Sequence, residues 1–124
     1  MIDTPPAIEC PAPVPTDGDS LRCGPERIRL LAVDAPEMPG SCRQGRACAP
    51  GDPFASRDTL RGLLRYGPVS IVRVGVDRYN RTLAIVYAGR VNLSCAMVGQ
   101  GAAVYVARWD NGGRIAAACP SVVR

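Results

Sequence analysis

The sequence predicts an α+β fold, a small five-stranded β-barrel carrying helices, and three observations predict it. The chain has 124 residues, enough for one compact domain with one core, and 47% of them are hydrophobic, an ordinary share for a folded globule. Its apolar residues fall in short runs rich in branched side chains, separated by glycine, proline, asparagine and aspartate. One helical pattern lies between the third and fourth of these runs, and a second, shorter one follows the fifth.

Residues 1–9 are rich in proline and acid and are expected to form a flexible N-terminal arm, with residues 10–124 as the single folded domain. From Cys10 to Val14 the backbone should be extended, and Thr16-Asp17-Gly18-Asp19 forms a turn into Ser20-Leu21-Arg22-Cys23. Gly24-Pro25-Glu26 makes the next turn, and residues 27–33 a third strand. Strict alternation puts Arg29, Leu31 and Val33 on one face and Asp34 on the other. A bulge or strand end must therefore intervene if Arg29 and Asp34 serve one site.

Residues 38–51 have no period of either kind and form a long loop, which a Cys42 to Cys48 bridge would pin. Asp52-Pro53 then reads as a helix N-cap followed by proline at the first helical position. Leu60, Leu63 and Leu64 mark the inner face of that helix, and Arg57, Arg61 and Arg65 a solvated stripe. Gly67-Pro68 stops it. Residues 69–76 and 82–88 form a hairpin around a five-residue loop that holds Arg78, Tyr79 and Arg81. Asn92 caps the second helix, whose Leu93, Ala96 and Met97 face inward, and Gly101 closes it. Residues 102–106 add an edge strand, and a short alanine-rich helical turn ends at Cys119-Pro120. Five strands with a helix between the third and fourth is the element order of a small OB-type barrel.

All 15 basic residues are arginines, and the absence of histidine excludes histidine general bases, Ser-His pairs and His-ligated metals. The net charge of +4 permits an anionic partner without requiring one. Six cysteines, an even number in a short chain, favour disulfides and an oxidising compartment, and no Cys-x-x-Cys pair suggests zinc. The layout pairs Cys10 with Cys23 across the first hairpin, and Cys95 with Cys119 to tie the tail to the second helix. No apolar run approaches a membrane span, and residues 1–15 lack the features of a secretory signal. A secreted or periplasmic monomer whose signal is absent from this chain is the expectation.

The stretch Arg29-Leu30-Leu31-Ala32-Val33-Asp34-Ala35-Pro36-Glu37 turns a buried strand into a charged loop, and so delivers a site on a scaffold. Asp17-Gly18-Asp19 adds carboxylates suited to a hard cation, and Asp77-Arg78-Tyr79-Asn80-Arg81 adds guanidiniums suited to phosphate. These three segments resemble the thermonuclease, or staphylococcal-nuclease-like, family. Residues 17–21 match its D-G-D-[TS]-[LV] turn, 29–37 its R-x-x-x-[VI]-D-x-P-E segment, and 77–81 its D-[KR]-Y-[GN]-R loop. The likeness extends through Val91-Asn92-Leu93 and Gly101-Ala102-Ala103.

The resemblance implies calcium-dependent hydrolysis of DNA and RNA at the 5'-oxygen side of the phosphodiester. It implies Asp19, Asp34 and the Ala35 carbonyl as calcium ligands, and Glu37 as the group that holds or deprotonates the attacking water. Arg29 and Arg81 would grip the scissile phosphate, while Arg78 and Tyr79 would contact a terminal phosphate. Tyr105 and Trp109 stand where two family tyrosines are expected, and Trp109 either stacks on a base or closes the barrel. The alternative is a non-catalytic OB-fold module that binds nucleic acid or a protein.

Overall fold

The computed structural model describes residues 10–42 and 47–123. The expected N-terminal arm, residues 1–9, lies outside them. A hairpin of β1 (Val14–Asp17) and β2 (Ser20–Cys23) continues into β3 (Glu26–Leu30), all antiparallel. The strand expected over 27–33 stops at Leu30, because Ala32 takes a left-handed conformation with φ of 68°. A short β4 (Val33–Asp34) resumes beyond the kink and pairs with β8 (Val104–Tyr105). The polar groups around the kink are satisfied, since the Leu31 amide donates to the Ala84 carbonyl at 2.9 Å and the Val106 amide to the Ala32 carbonyl at 2.8 Å. The Ser94 hydroxyl donates to the Leu31 carbonyl at 2.8 Å.

Helix α1 (Pro53–Leu63) starts where Asp52 caps it, its carboxylate accepting from the Phe54 and Ala55 amides. Leu60, Leu63 and Leu64 are buried, and Arg61 and Arg65 are exposed. The long hairpin of β5 (Val69–Val76) and β6 (Thr82–Ala88) follows, and β7 (Val91–Asn92) pairs with β6. Helix α2 (Leu93–Gly99) is capped by the Asn92 side chain, and α3 (Arg114–Ala118) is the last helix of the described residues.

The main sheet runs β1-β2-β3-β6-β5. Its β3–β6 contact is parallel, pairing Ile28 with Thr82 and Arg29 with Leu83, and it brings the first meander beside the later hairpin. The result is a curled half-barrel with α1 and α2 against its concave side, an α+β fold of the OB-like kind. Leu21, Ile28, Leu30, Val33, Leu60, Val86, Leu93 and Met97 fill that interior. A second cluster of Leu31, Ala32, Ile85, Ile115 and Val123 lies under the tail. Disulfides join Cys10 to Cys23, Cys42 to Cys48 and Cys95 to Cys119. No helix among the described residues is long and apolar enough to cross a membrane.

Candidate active site

The parallel β3–β6 contact positions the site. Where those strands meet, the β1–β2 turn, β3, the segment after β4 and the β5–β6 loop all border one cavity of about 920 Å³. Asp19, Arg29, Glu37, Arg78, Tyr79, Arg81 and Trp109, named from the sequence, all line it. Asp34 and Ala35 are buried behind this lining and reach it through their partners.

Gly18 is needed for the β1–β2 turn to lie against α1. A Cβ there would fall 1.8 Å from the Ser56 hydroxyl oxygen, and that hydroxyl is itself held by the Ala102 carbonyl at 2.7 Å. The turn is thus pressed onto the helix, and Asp19 is 3% exposed. One Asp19 oxygen, Oδ2, accepts from the Ala35 amide at 2.9 Å and from Arg29 Nη1 at 2.8 Å, while Oδ1 accepts from the Ser20 hydroxyl at 2.9 Å. Arg29 is held on several sides: Nη2 donates to the Val33 carbonyl at 3.2 Å and lies 3.8 Å from Asp34 Oδ1. The Trp109 ring centroid is 5.2 Å from the guanidinium carbon. Burial works against the Arg29 charge, but the carboxylates of Asp19, Asp34 and Glu37 outweigh it and raise its pKa above the usual arginine value. The kink at Ala32 is what lets Arg29 and Asp34 approach across a segment whose alternation would separate them.

Opposite stands the 77–81 loop, organised by Asp77. Its Oδ1 accepts from the Tyr79 and Arg81 amides, both at 2.9 Å, and its Oδ2 from Arg81 Nε at 2.8 Å. Burial raises the Asp77 pKa less than these hydrogen bonds lower it, so the carboxylate stays ionised. With Nε committed, the two terminal nitrogens of Arg81 are the part of the fork left to meet an anion. The Tyr79 ring lies 5.4 Å from the Arg81 guanidinium and 5.2 Å from that of Arg78.

Tyr105 takes no part in the cavity, because its hydroxyl donates to Asp110 at 2.7 Å and is tied to the start of α3. Half-buried Trp109 both lines the cavity and covers Arg29, so the two roles considered for it are compatible. Three charged lining residues, Asp17, Arg27 and Asp77, were given no site role of their own from the sequence. Asp17 sits beside Asp19, and burial together with the Asp19 charge pushes its pKa up despite Arg29, Arg81 and Arg57. Arg27 donates through Nη2 to the Tyr79 carbonyl. Asp17 could have been found as the first carboxylate of the Asp-Gly-Asp turn, and Arg27 as the residue two before Arg29 on the same strand face.

Among the described residues, no three carboxylates converge as a ready-made metal cage. The chemistry of the lining nevertheless suits a hard cation. Asp17, Asp19, Glu37 and Asp77 face Arg27, Arg29, Arg78 and Arg81, so four formal negative charges balance four positive ones. Such a cavity attracts a phosphate poorly by itself, and one divalent ion among the carboxylates would tip it positive. Oδ1 of Asp19, with one donor, retains acceptor capacity for such an ion.

Comparison with known proteins agrees with this geometry. The model of the staphylococcal nuclease homologue family matches residues 27–118. A protein named an uncharacterized endonuclease, from Haemophilus influenzae, is 37% identical over 93 residues, covering 71% of this chain and 47% of its own length. The chain therefore spans about half the length of that curated relative. With a match over most of its length, from the strand that bears Arg29 to the last helix, the chain belongs to the staphylococcal nuclease homologue family.

Proposed function

We propose that this protein is an exported, monomeric, calcium-dependent phosphodiesterase that hydrolyses DNA and RNA at the 5'-oxygen side of the phosphate. The observation that carries the reading is the meeting of Asp19, Arg29, Glu37 and Arg81, from four separate segments, on one cavity. The named endonuclease relative supports the reaction class, and three disulfides support an oxidising compartment.

Asp19, Asp34 and the Ala35 carbonyl would hold calcium, an ion that takes oxygen ligands flexibly, neutralises phosphate charge and polarises a bound water. Glu37, half-buried on the lining, orients the attacking water and takes its proton. Water oxygen bonds to phosphorus, the bond from phosphorus to the 5'-oxygen breaks, and the leaving oxygen takes a proton from solvent. The products carry a 3'-phosphate and a 5'-hydroxyl. Arg29 and Arg81 stabilise the charge that builds on the phosphoryl oxygens, and arginine suits this because it keeps its charge and presents a planar fork. Arg78 and Tyr79 bind a neighbouring phosphate, and the exposed part of Trp109 offers a surface for a base.

The test is degradation of single-stranded DNA and of RNA with calcium, with magnesium and with chelator. Calcium should support cleavage, magnesium should support it poorly, and chelator should abolish it. Glu37→Gln should bind calcium with near-normal affinity by calorimetry while turnover falls on the order of 100-fold. Full activity after exhaustive chelation would refute the calcium requirement. Binding of nucleic acid with no cleavage under any condition would favour a binding module.

A further inference from the structure

Arg27 lies outside the residues given roles above, yet it makes a contact that spans the cavity's edge. It sits on β3 two residues before Arg29, so both side chains leave the same face of the strand. The β3–β6 ladder pairs Ile28 with Thr82 and ends there. Just beyond it the chain leaves β6 for the loop that carries Arg78, Tyr79 and Arg81. Arg27 reaches past the end of the ladder, and its Nη2 donates to the Tyr79 carbonyl, 52 residues away in sequence.

Asp77 makes the loop internally rigid through the bonds already described, reinforced by the Asp77 amide on the Arg81 carbonyl at 2.9 Å and the Asn80 amide on the Asp77 carbonyl at 3.0 Å. Internal rigidity does not fix where the middle of the loop stands relative to Arg29: the loop's exit is tied to β3, where Thr82 pairs with Ile28 and donates to Glu26 at 2.7 Å, but neither tie reaches Tyr79. A two-arm clamp needs that distance fixed, because each arm must meet a different oxygen of one phosphate. The contact of Arg27 with the Tyr79 carbonyl adds a constraint at the middle of the loop, from the very strand that bears Arg29.

We propose that Arg27 is a positioning residue: it fastens the 77–81 loop to β3 and so sets the span between the Arg81 and Arg29 guanidiniums. The inference rests on the phosphate-clamp reading of those two arginines. It differs from a plain electrostatic role. A guanidinium that merely attracted substrate would govern affinity and its salt dependence, whereas one that fixes the clamp governs the charge stabilisation reached at the transition state.

Two variants in the full chain separate these roles. Arg27→Met keeps much of the side chain's length and loses the donor, while Arg27→Lys keeps a donor, the charge and most of the reach. Because the contact is exposed, neither variant should alter global unfolding appreciably. In the protein without substrate, hydrogen exchange at the Tyr79 and Arg81 amides should quicken about tenfold in Arg27→Met, with β5 and β6 unchanged, and stay near wild type in Arg27→Lys. On a short single-stranded substrate, kcat should fall about tenfold in Arg27→Met with KM within about twofold, and Arg27→Lys should restore kcat.

Unchanged exchange in the loop, or an unchanged kcat with a raised KM and a shallower salt slope, would overturn the proposal. The second result would make Arg27 a phosphate contact instead. The exchange measurement needs no turnover. If the wild-type chain cleaved nothing, the phosphodiesterase reading would fall, and the exchange result would still decide whether Arg27 fastens the loop.

Discussion

Arg29 is 9% exposed and shares its guanidinium among the Asp19 carboxylate, the Val33 carbonyl and the Trp109 ring. Arg81 commits one nitrogen to Asp77 and is more exposed. Both are candidates for the same phosphate, but substitution should separate them. Lysine retains the charge but has one nitrogen in place of the planar fork whose Nη1 and Nη2 reach Asp19 and Val33 separately, so Arg29→Lys should lower turnover on the order of 100-fold. Arg81→Lys should lower it less, because Asp77 can still hold an ammonium near the cavity. If both act on one developing charge, the double variant loses less than the product of the single losses. Steady-state turnover at saturating calcium checks all three. Arg29→Ala should also destabilise the fold, by about 3 kcal/mol or more, since it strands the buried Asp19 charge. Urea unfolding measures that separately from activity, and an unchanged midpoint would mean that the Asp19–Arg29 pair is not holding the turn.

Among the elements, those whose signals are local were legible in the sequence. Asp52 and Asn92 cap the two helices where their side chains suggested, and residues 69–88 form the hairpin around its five-residue loop. The three site segments also border one cavity. What was not legible depends on neighbours distant in the chain. Nothing about an alanine announces the left-handed turn at Ala32, which is imposed by hydrogen bonds from Val106 and to Ala84 on either side of it. Arg27 is one arginine among 15 until the Tyr79 carbonyl is brought to it. Asp110 precedes Asn111 and two glycines, which suggest only a turn, and in the fold it accepts from Tyr105, Ile115 and Ala116.

The ties between strands should also show in acid. Glu26 on β3 accepts two bonds from Arg73 on β5 and one from Thr82 on β6, and these lower its pKa from 4.5 to about 2. A carboxylate depressed in the folded state contributes stability that is complete above 4.5 and lost as pH falls towards about 2. The urea midpoint of the wild type should therefore fall more steeply across that window than the midpoint of Glu26→Gln. Parallel curves for the two proteins would show that the Arg73 and Thr82 bonds add nothing to the linkage.

At the scale of the whole molecule, the disulfides divide the labour between holding the fold and holding the site. Cys95–Cys119 fastens α2 to the chain just after α3, where Ile115 and Val123 cover the second apolar cluster on Leu31, Ala32 and Ile85. That cluster lies directly beneath the Ala32 kink, so the tail supports the fold at the turn that brings Arg29 and Asp34 together. Cys42–Cys48 instead closes a short loop a few residues beyond Glu37, with Ser41 on the cavity lining. Loop-closure entropy favours the longer link, at about 3.5 kcal/mol for some 25 residues against about 2.4 for seven. Replacing Cys95 and Cys119 by alanine should therefore lower the thermal midpoint strongly, while turnover well below that midpoint stays close to wild type. Replacing Cys42 and Cys48 should shift the midpoint less and lower kcat, because Glu37, in its proposed role on the attacking water, would then ride on an untethered loop. Paired thermal melts and kcat values for the two double variants decide it. If the tail bridge governed kcat and the loop bridge only the midpoint, Glu37 would not depend on the loop that follows it.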